Sequence, residues 1–273
     1  MNSTLKRTLL SSLVLPFALG AQSANADLIT DWGYQVDSLF SNATDTGGTG
    51  SLTGNNTSTL SWGVGTGPQS SISITDVNEA SGLMTNGGYV DGGVFTHTNN
   101  ILPAAGTALK SFDLTSTLTL TPFLPAAGAS LPASSSTFES FFIETGNSNG
   151  NCVSAATTVC DDIFTVGNLT DLGAVETGDG GYEFASSFNF DGYTYTVFLE
   201  LAGLAALDND ACAAAGASNG CVGLLTEESA VNNFQTKFRI TAVELVPEPG
   251  TLALLGMGLA GLGLSRRKKA AKA

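Results

Sequence analysis

The sequence predicts an all-β fold, an antiparallel β-sandwich of which a jelly roll is one form. Three observations predict it. Apolar and polar residues alternate in several short segments, turn residues separate those segments, and only 12% of the residues are charged. The 33 glycines among 273 residues give the turn-rich composition typical of exported β proteins. Residues 27–245 are numerous enough for one such domain.

Period-two alternation of β-branched and aromatic residues marks the strands in chain order. The first strand carries Trp32, Tyr34, Val36 and Phe40 on one face. The strands that follow are indicated by Leu60 and Trp62, Ile72 and Ile74, Leu114 to Leu120, Phe141 to Ile143, Ile163 to Val166, Phe184 to Phe190, Tyr193 to Leu201, and Phe238 to Ala242.

Turn chemistry connects these strands. Asp191-Gly192 joins two strands as a hairpin, because this dipeptide supplies the positive φ angles of a type I′ turn. Residues 41–58 and 124–136 are rich in small, polar and proline residues, which predicts two loops. Residues 204–217 could form a helix, but their alanine and glycine content and nearby cysteines favour a loop insertion.

The body of the chain is strongly acidic. Residues 27–245 hold 23 acidic residues against three basic ones, Lys110, Lys237 and Arg239, a formal charge of −20. Such a field repels nucleic acid and anionic lipid and attracts divalent cations or basic partners. We therefore expect no nucleic-acid partner.

Four cysteines lie in two close pairs, Cys152 with Cys160 and Cys212 with Cys221. In an exported protein, local disulfides that close short loops are the natural interpretation, although four cysteines formally allow three connectivities. A zinc site is disfavoured, because neither pair has the Cys-x-x-Cys spacing of zinc ligands.

The first 26 residues have the pattern of a secretory signal peptide. Lys6 and Arg7 precede a short apolar run, and the small-residue triplet Ala24-Asn25-Ala26 follows it. We expect the mature protein to start near Asp27.

Residues 246–273 form a second targeting segment. Val246, Pro247, Glu248 and Pro249 precede an uncharged apolar stretch at 251–264 and then the basic cluster at 266–269. The prolines end the preceding strand. The apolar stretch predicts a short transmembrane helix with the basic cluster on the cytoplasmic side.

These three parts resemble the PEP-CTERM sorting domain. The resemblance implies recognition by an exosortase, removal of the tail, and delivery to the surface or extracellular matrix of a bacterium that makes exopolysaccharide. A membrane-bound precursor is expected before processing. A plain permanent anchor is the alternative interpretation of the tail.

The only histidine lies in the tetrapeptide Thr96-His97-Thr98-Asn99. In a chain with this tail, Thr96, His97 and Asn99 resemble the motif of the THxN family of PEP-CTERM proteins, which implies a shared fold but no reaction. A lone histidine is more often structural than a ligand or general base, so a structural role is favoured and the other two stay open.

Other candidate sites are weaker. Asp208 and Asp210 are the first candidates for calcium ligands, and Asp161-Asp162 the second, although the full EF-hand pattern is absent. Trp32, Trp62 and Tyr89 could stack on sugars if exposed, but buried aromatic residues are commoner.

No nucleophile elbow, zinc-protease motif or phosphate-binding loop occurs in the sequence. We therefore expect a non-enzymatic exported protein of the surface or matrix, associated with exopolysaccharide or biofilm and requiring no cofactor. A secreted hydrolase that acts on the matrix is one alternative. A calcium-stabilised structural or adhesion module is the other.

Overall fold

A computed structural model describes residues 27–146, 152, 160–169, 171–177, 181–245 and 256–259. The signal peptide predicted for residues 1–26 and the sorting residues Val246 to Pro249 lie outside the described residues. The strands in chain order are β1 (Asp31–Asp45), β2 (Thr59–Gly63), β3 (Gln69–Ile74), β4 (Val77–Met84), β5 (Val90–Thr98), β6 (Leu109–Leu124), β7 (Ser134–Ile143), β8 (Asp162–Val166), β9 (Ala174–Glu176), β10 (Tyr182–Phe190), β11 (Tyr193–Leu201), β12 (Ala205–Ala206), β13 (Val222–Thr226) and β14 (Val231–Glu244); one helix, α1 (Asn209–Ala215), precedes β13.

The strands form two antiparallel sheets that pack as a sandwich, which confirms the predicted fold class. The first sheet has the order β12-β13-β8-β7-β6-β1-β4, and the second has the order β2-β3-β5-β14-β11-β10-β9. Each sheet has seven strands in the described part of the chain, so the two sheets together have 14 strands, more than the eight of a jelly roll.

Apolar residues that face inward from both sheets form the core, as the alternation predicts. Near one end, Trp32 of β1 packs edge-on against Tyr195 of β11 with ring centroids 5.0 Å apart. Nearer the other end, Phe95 of β5 packs edge-on against Phe164 of β8 at 5.7 Å. Two large apolar clusters therefore follow one another along the sandwich.

The hairpin between β10 and β11 has the predicted turn, since Asp191 and Gly192 have φ angles of 43° and 78°. The prediction of a loop from residue 41 is wrong at its start, because β1 continues to Asp45. The strand passes through an irregularity between Ser41 and Thr44, where Asn42 has a φ angle of 51°.

The preference for a loop over a helix in residues 204–217 is also wrong. Asp208 caps α1 by accepting a hydrogen bond from the Ala211 amide at 2.7 Å, and Gly216 ends the helix with a φ angle of 84°. Ala211 and Ala215 pack on Ile163, so the helix covers the outer face of β8. Alanine favours this helix rather than opposing it.

Both local disulfides are formed, Cys152–Cys160 and Cys212–Cys221. In the first, Cys160 lies two residues before Asp162, the buried first residue of β8. The second ties the middle of α1 to the residue before β13.

Candidate functional site

One end of the sandwich interior is polar. Along three neighbouring strands of the first sheet, the inward-facing positions change from aromatic or aliphatic residues to polar residues at this end. Phe142 and Phe164 face each other across β7 and β8, and Leu224 of β13 pairs with Phe164 from the other side. The next inward-facing positions towards this end are two residues after Phe142, two before Phe164 and two after Leu224. They are occupied by Glu144, Asp162 and Thr226 respectively. Glu228 follows in the connection to β14.

The second sheet places Trp62 and His97 against this end. The His97 ring is fully buried and stacks on Trp62, with centroids 5.6 Å apart and an interplanar angle of 20°. It also meets the edges of Phe142 and Phe164 at 5.7 and 4.9 Å. His97 Nδ1 forms a hydrogen bond with Thr226 Oγ1 at 3.0 Å, which links the two sheets.

His97 is a neutral core histidine. Burial lowers its pKa to about 3, because the imidazolium ion would lose its hydration there. Its Nε2 atom has no hydrogen-bond partner within the described ranges. These contacts favour the structural role of His97 over that of a general base.

Three carboxyl groups converge beside this histidine. One oxygen from each of Glu144, Asp162 and Glu228 lies within 4.8 Å of the others. Trp62 Nε1 donates to Glu144 Oε2 at 3.3 Å, and the Thr145 amide donates to Asp162 Oδ1 at 2.7 Å. Asp162 is fully buried, whereas Glu144 and Glu228 are partly exposed.

Burial and mutual repulsion hold these carboxyl groups towards their protonated forms. The pKa of Glu144 is raised to about 7, chiefly by burial; the Trp62 hydrogen bond opposes this shift and the charge of Glu228 adds to it. Burial and then the charge of Glu144 raise the pKa of Asp162 to about 9. Burial also raises the pKa of Glu228, against the effect of the neighbouring Asn99 amide.

The motif Thr96, His97 and Asn99 contributes to this end of the sandwich. His97 and Asn99 face inward, and Asn99 is 1% exposed beside Glu228. Thr96 instead donates to Asn233 Oδ1 of β14 at 2.8 Å. Within the motif, Thr96 therefore links β5 to β14 by a hydrogen bond, and His97 and Asn99 supply two polar side chains to the interior.

The other predicted candidates lie elsewhere. Asp208 is the cap of α1, Asp210 is exposed in its first turn, and the described residues place neither in a group of three potential metal ligands. Asp162, from the second calcium candidate, is a member of the carboxyl cluster; Asp161 is only half-buried.

Trp32 and Trp62 are fully buried, so they offer no platform for sugars. Tyr89 is 40% exposed, and its hydroxyl contacts Glu183.

Glu144 and Glu228 are not among the site residues predicted from the sequence. Their signal is present in the alternation itself, since the inward series Phe138-Ser140-Phe142 continues to Glu144 and the series Val222-Leu224-Thr226 continues to Glu228. What the sequence does not show is which strand ends meet, and this depends on the order of strands in the sheet.

Two cavities lie between the sheets away from the carboxyl groups. One has a volume of about 70 Å³ and apolar walls that include Phe95 and Leu224. The other, of about 330 Å³, lies between Leu120 and Phe188 and is bordered by serines. None of the three clustered carboxylates lines either cavity.

The fold and its interior define an antiparallel β-sandwich with a polar, acidic closure at one end. The chain carries a PEP-CTERM protein-sorting motif at residues 245–268. This motif indicates export and sorting to the cell surface by an exosortase-type system, as the resemblance of the tail implies. Neither a curated protein nor a solved structure is significantly similar to the chain.

Only residues 256–259 of the predicted tail helix are described, and they are helical. Among the helices of the described ranges, none has the length and apolar character needed to cross a membrane.

Proposed function

We propose that the protein is a non-enzymatic structural or adhesive component of the extracellular matrix, associated with exopolysaccharide or biofilm. The observation that carries this proposal is the PEP-CTERM sorting motif at residues 245–268. The acidic body supports it, because a charge near −20 keeps a surface protein soluble and directs it towards cations or basic partners.

The contents of the fold also support a structural role. The aromatic residues Trp32 and Trp62 fill the interior, and two disulfides join cysteines that are 8 and 9 residues apart in sequence. Disulfides and a large buried core suit a protein that must persist outside the cell.

The first experiment is the intact mass of the protein recovered from outside its native producer. We expect a chain that starts near Asp27 and ends near Pro247, with two hydrogens gained per bridge on reduction. The matched variant replaces Pro247, Glu248 and Pro249 by alanine and should keep its tail. A membrane-bound wild-type chain that retains residues through Ala273 would contradict sorting and favour a permanent anchor.

The second experiment tests the matrix association. The exported protein is passed over exopolysaccharide from the same producer, with a polysaccharide from a different source as the control. Selective retention is expected. Equal passage through both columns would overturn the polysaccharide association and leave sorting unaffected.

A hydrolase that acts on the matrix is the second candidate. The observation that favours it is the pair Glu144 and Asp162, because a carboxyl group with a pKa raised to about 7 suits a general acid. Against it, Asp162 is fully buried and neither cavity is lined by the pair. Release of reducing sugars from the matrix by the wild type, lost in Glu144→Gln, would establish this candidate.

A further inference from the structure

We propose that Glu144, Asp162, Glu228 and Asn99 form a binding site for a hard divalent cation, calcium, which closes the polar end of the sandwich. This site lies apart from the first calcium candidates, Asp208 and Asp210, and it includes Asp162 from the second candidate, Asp161-Asp162. The proposal does not depend on the role of the protein in the matrix.

The donor atoms and their spacing suit calcium. Calcium binds oxygen ligands at about 2.3–2.6 Å, so two oxygens on opposite sides of the ion lie about 5 Å apart. The carboxylate oxygens of Glu144, Asp162 and Glu228 all lie within 4.8 Å of one another. Zinc prefers nitrogen and sulfur ligands, and magnesium requires a tighter octahedron with several waters.

An amide beside the carboxylates provides an independent observation. The Asn99 side chain is 1% exposed and lies next to Glu228, and its Oδ1 atom accepts no hydrogen bond from any described residue. Buried polar atoms nearly always have a partner. A neutral carbonyl oxygen in this position is a common calcium ligand.

Two of the carboxylates present unpaired oxygens as well. Glu144 Oε1 and Asp162 Oδ2 are buried without a hydrogen-bond partner in the described part of the chain. Arg239 forms its ion pair with Glu183, away from this cluster. No described lysine or arginine pairs with Glu144 or Asp162. A divalent cation would supply the missing positive charge and satisfy both oxygens.

The placement of the ligands gives the cation a structural role. Glu144 follows β7 and Asp162 begins β8, both in the first sheet. Asn99 follows β5 in the second sheet, and its backbone amide donates to Ala230 at 2.9 Å. Glu228 lies in the connection that crosses between the sheets. One ion would therefore hold four segments of the sandwich together.

The test is a calcium titration of the purified full chain after treatment with a chelator, followed by calorimetry and by the melting temperature. We expect binding of one calcium per chain, a Kd at or below about 10⁻³ M, and a rise in melting temperature. Magnesium should bind more weakly.

Two ligand variants and two controls make the test specific. Asp162→Asn and Glu228→Gln should each weaken calcium binding by about tenfold or more, because each removes a charged ligand. Glu227→Gln, at the exposed neighbour of Glu228, and Asp208→Asn should bind calcium as the wild type does. Near-ultraviolet circular dichroism checks that each variant is folded. If Asp162→Asn does not fold, Glu228→Gln alone provides the test of the ligands.

The proposal is overturned if millimolar calcium produces neither heat nor a change in melting temperature in the wild type. It is also overturned if folded Asp162→Asn and Glu228→Gln bind calcium with unchanged affinity. Equal loss of affinity in Asp208→Asn would move the site to α1 and overturn the proposal in the same way.

Discussion

The two ends of the sandwich are each built around a buried tryptophan, and the two tryptophans have different surroundings. Trp32 is surrounded by aromatic rings, those of Phe188, Phe190 and Tyr195. Its Nε1 donates to the hydroxyl of Thr85 at 3.0 Å. Trp62 is stacked on His97, and its Nε1 donates to a carboxylate, Glu144.

The difference lies in how each end satisfies its polar atoms. At the Trp32 end, neutral groups pair with one another: Thr85 donates onward to the Ile29 carbonyl, and the Ile29 amide donates to the Tyr195 hydroxyl. At the Trp62 end, His97 Nε2, Glu144 Oε1 and Asp162 Oδ2 are buried without a hydrogen-bond partner among the described residues. The first end should behave as inert packing, and the second should respond to protons and cations.

The largest expected effect comes from removing the inert packing. Trp32→Ala should lower the free energy of unfolding by about 3–5 kcal/mol, because it opens a cavity among three aromatic rings. Chemical denaturation measured with calcium and with chelator checks this. The loss should be the same in both conditions, since Trp32 packs on aromatic rings and donates its hydrogen bond to a neutral hydroxyl, that of Thr85. A loss that depends on calcium would show that the two ends are coupled.

The pH dependence of stability should distinguish the two ends next. His97 has a pKa lowered to about 3 in the folded protein, against about 6.5 when unfolded. Between these values the unfolded chain binds one more proton, so this histidine makes stability fall as pH decreases, by at most about 1.4 kcal/mol per pH unit. Denaturation of the wild type and of His97→Gln in chelator, from pH 7 towards pH 3, measures the difference. Parallel curves would contradict it.

The carboxyl groups act with the opposite sign. The pKa values of Glu144 and Asp162, about 7 and about 9, lie above those of the unfolded chain. Over this range the folded protein binds more protons, so without calcium these groups make stability fall as pH rises above about 4. In His97→Gln, which lacks the opposing effect of the histidine, stability without calcium should show only this fall with rising pH.

How much of this contrast the sequence predicts depends on the kind of pattern involved. The alternation of Trp32, Tyr34 and Val36 predicts their strand and its buried face, because period-two burial is a local property. The turn at Asp191-Gly192 is likewise local. The antiparallel sandwich follows from these local signals taken together.

The polar end is not a local property. Glu144, Asp162 and Glu228 are far apart in the chain, and each resembles an ordinary solvated acid beside a loop. They meet because β8 lies between β7 and β13, an order that no single segment specifies. The sequence of residues 204–217 allows a helix, but its alanine and glycine content and the nearby cysteines favour a loop. Tertiary packing on Ile163, which the local sequence does not show, decides the helical conformation of α1.

Removing each of the two disulfides in turn tests whether calcium affinity depends only on the structure near the polar end. Cys160 lies beside the polar end, where its carbonyl accepts a hydrogen bond from Thr145 Oγ1 at 2.7 Å. Replacing Cys152 and Cys160 by serine should lower the free energy of unfolding by about 2–3 kcal/mol and also weaken calcium binding severalfold. Replacing Cys212 and Cys221 should cost a similar free energy but leave calcium affinity unchanged, because that bridge joins α1 to the opposite end of β13. Calorimetric titration of both variants checks this, and equal affinity losses would remove the distinction.

The smallest expected effect is at the acidic residue that the sequence favours as a calcium ligand. Asp208→Ala should lower the free energy of unfolding by about 1 kcal/mol, since it removes the hydrogen bond to the Ala211 amide. Asp208→Ser should recover most of this loss, because serine is also a good cap. Neither change should alter the stabilisation by calcium, measured as the difference in melting temperature with and without the ion. If serine fails to rescue stability, and calcium stabilises the alanine variant less than the wild type, Asp208 is a ligand rather than a cap. Calcium binding would then not be confined to the Trp62 end of the sandwich, and the contrast between the two ends would not hold.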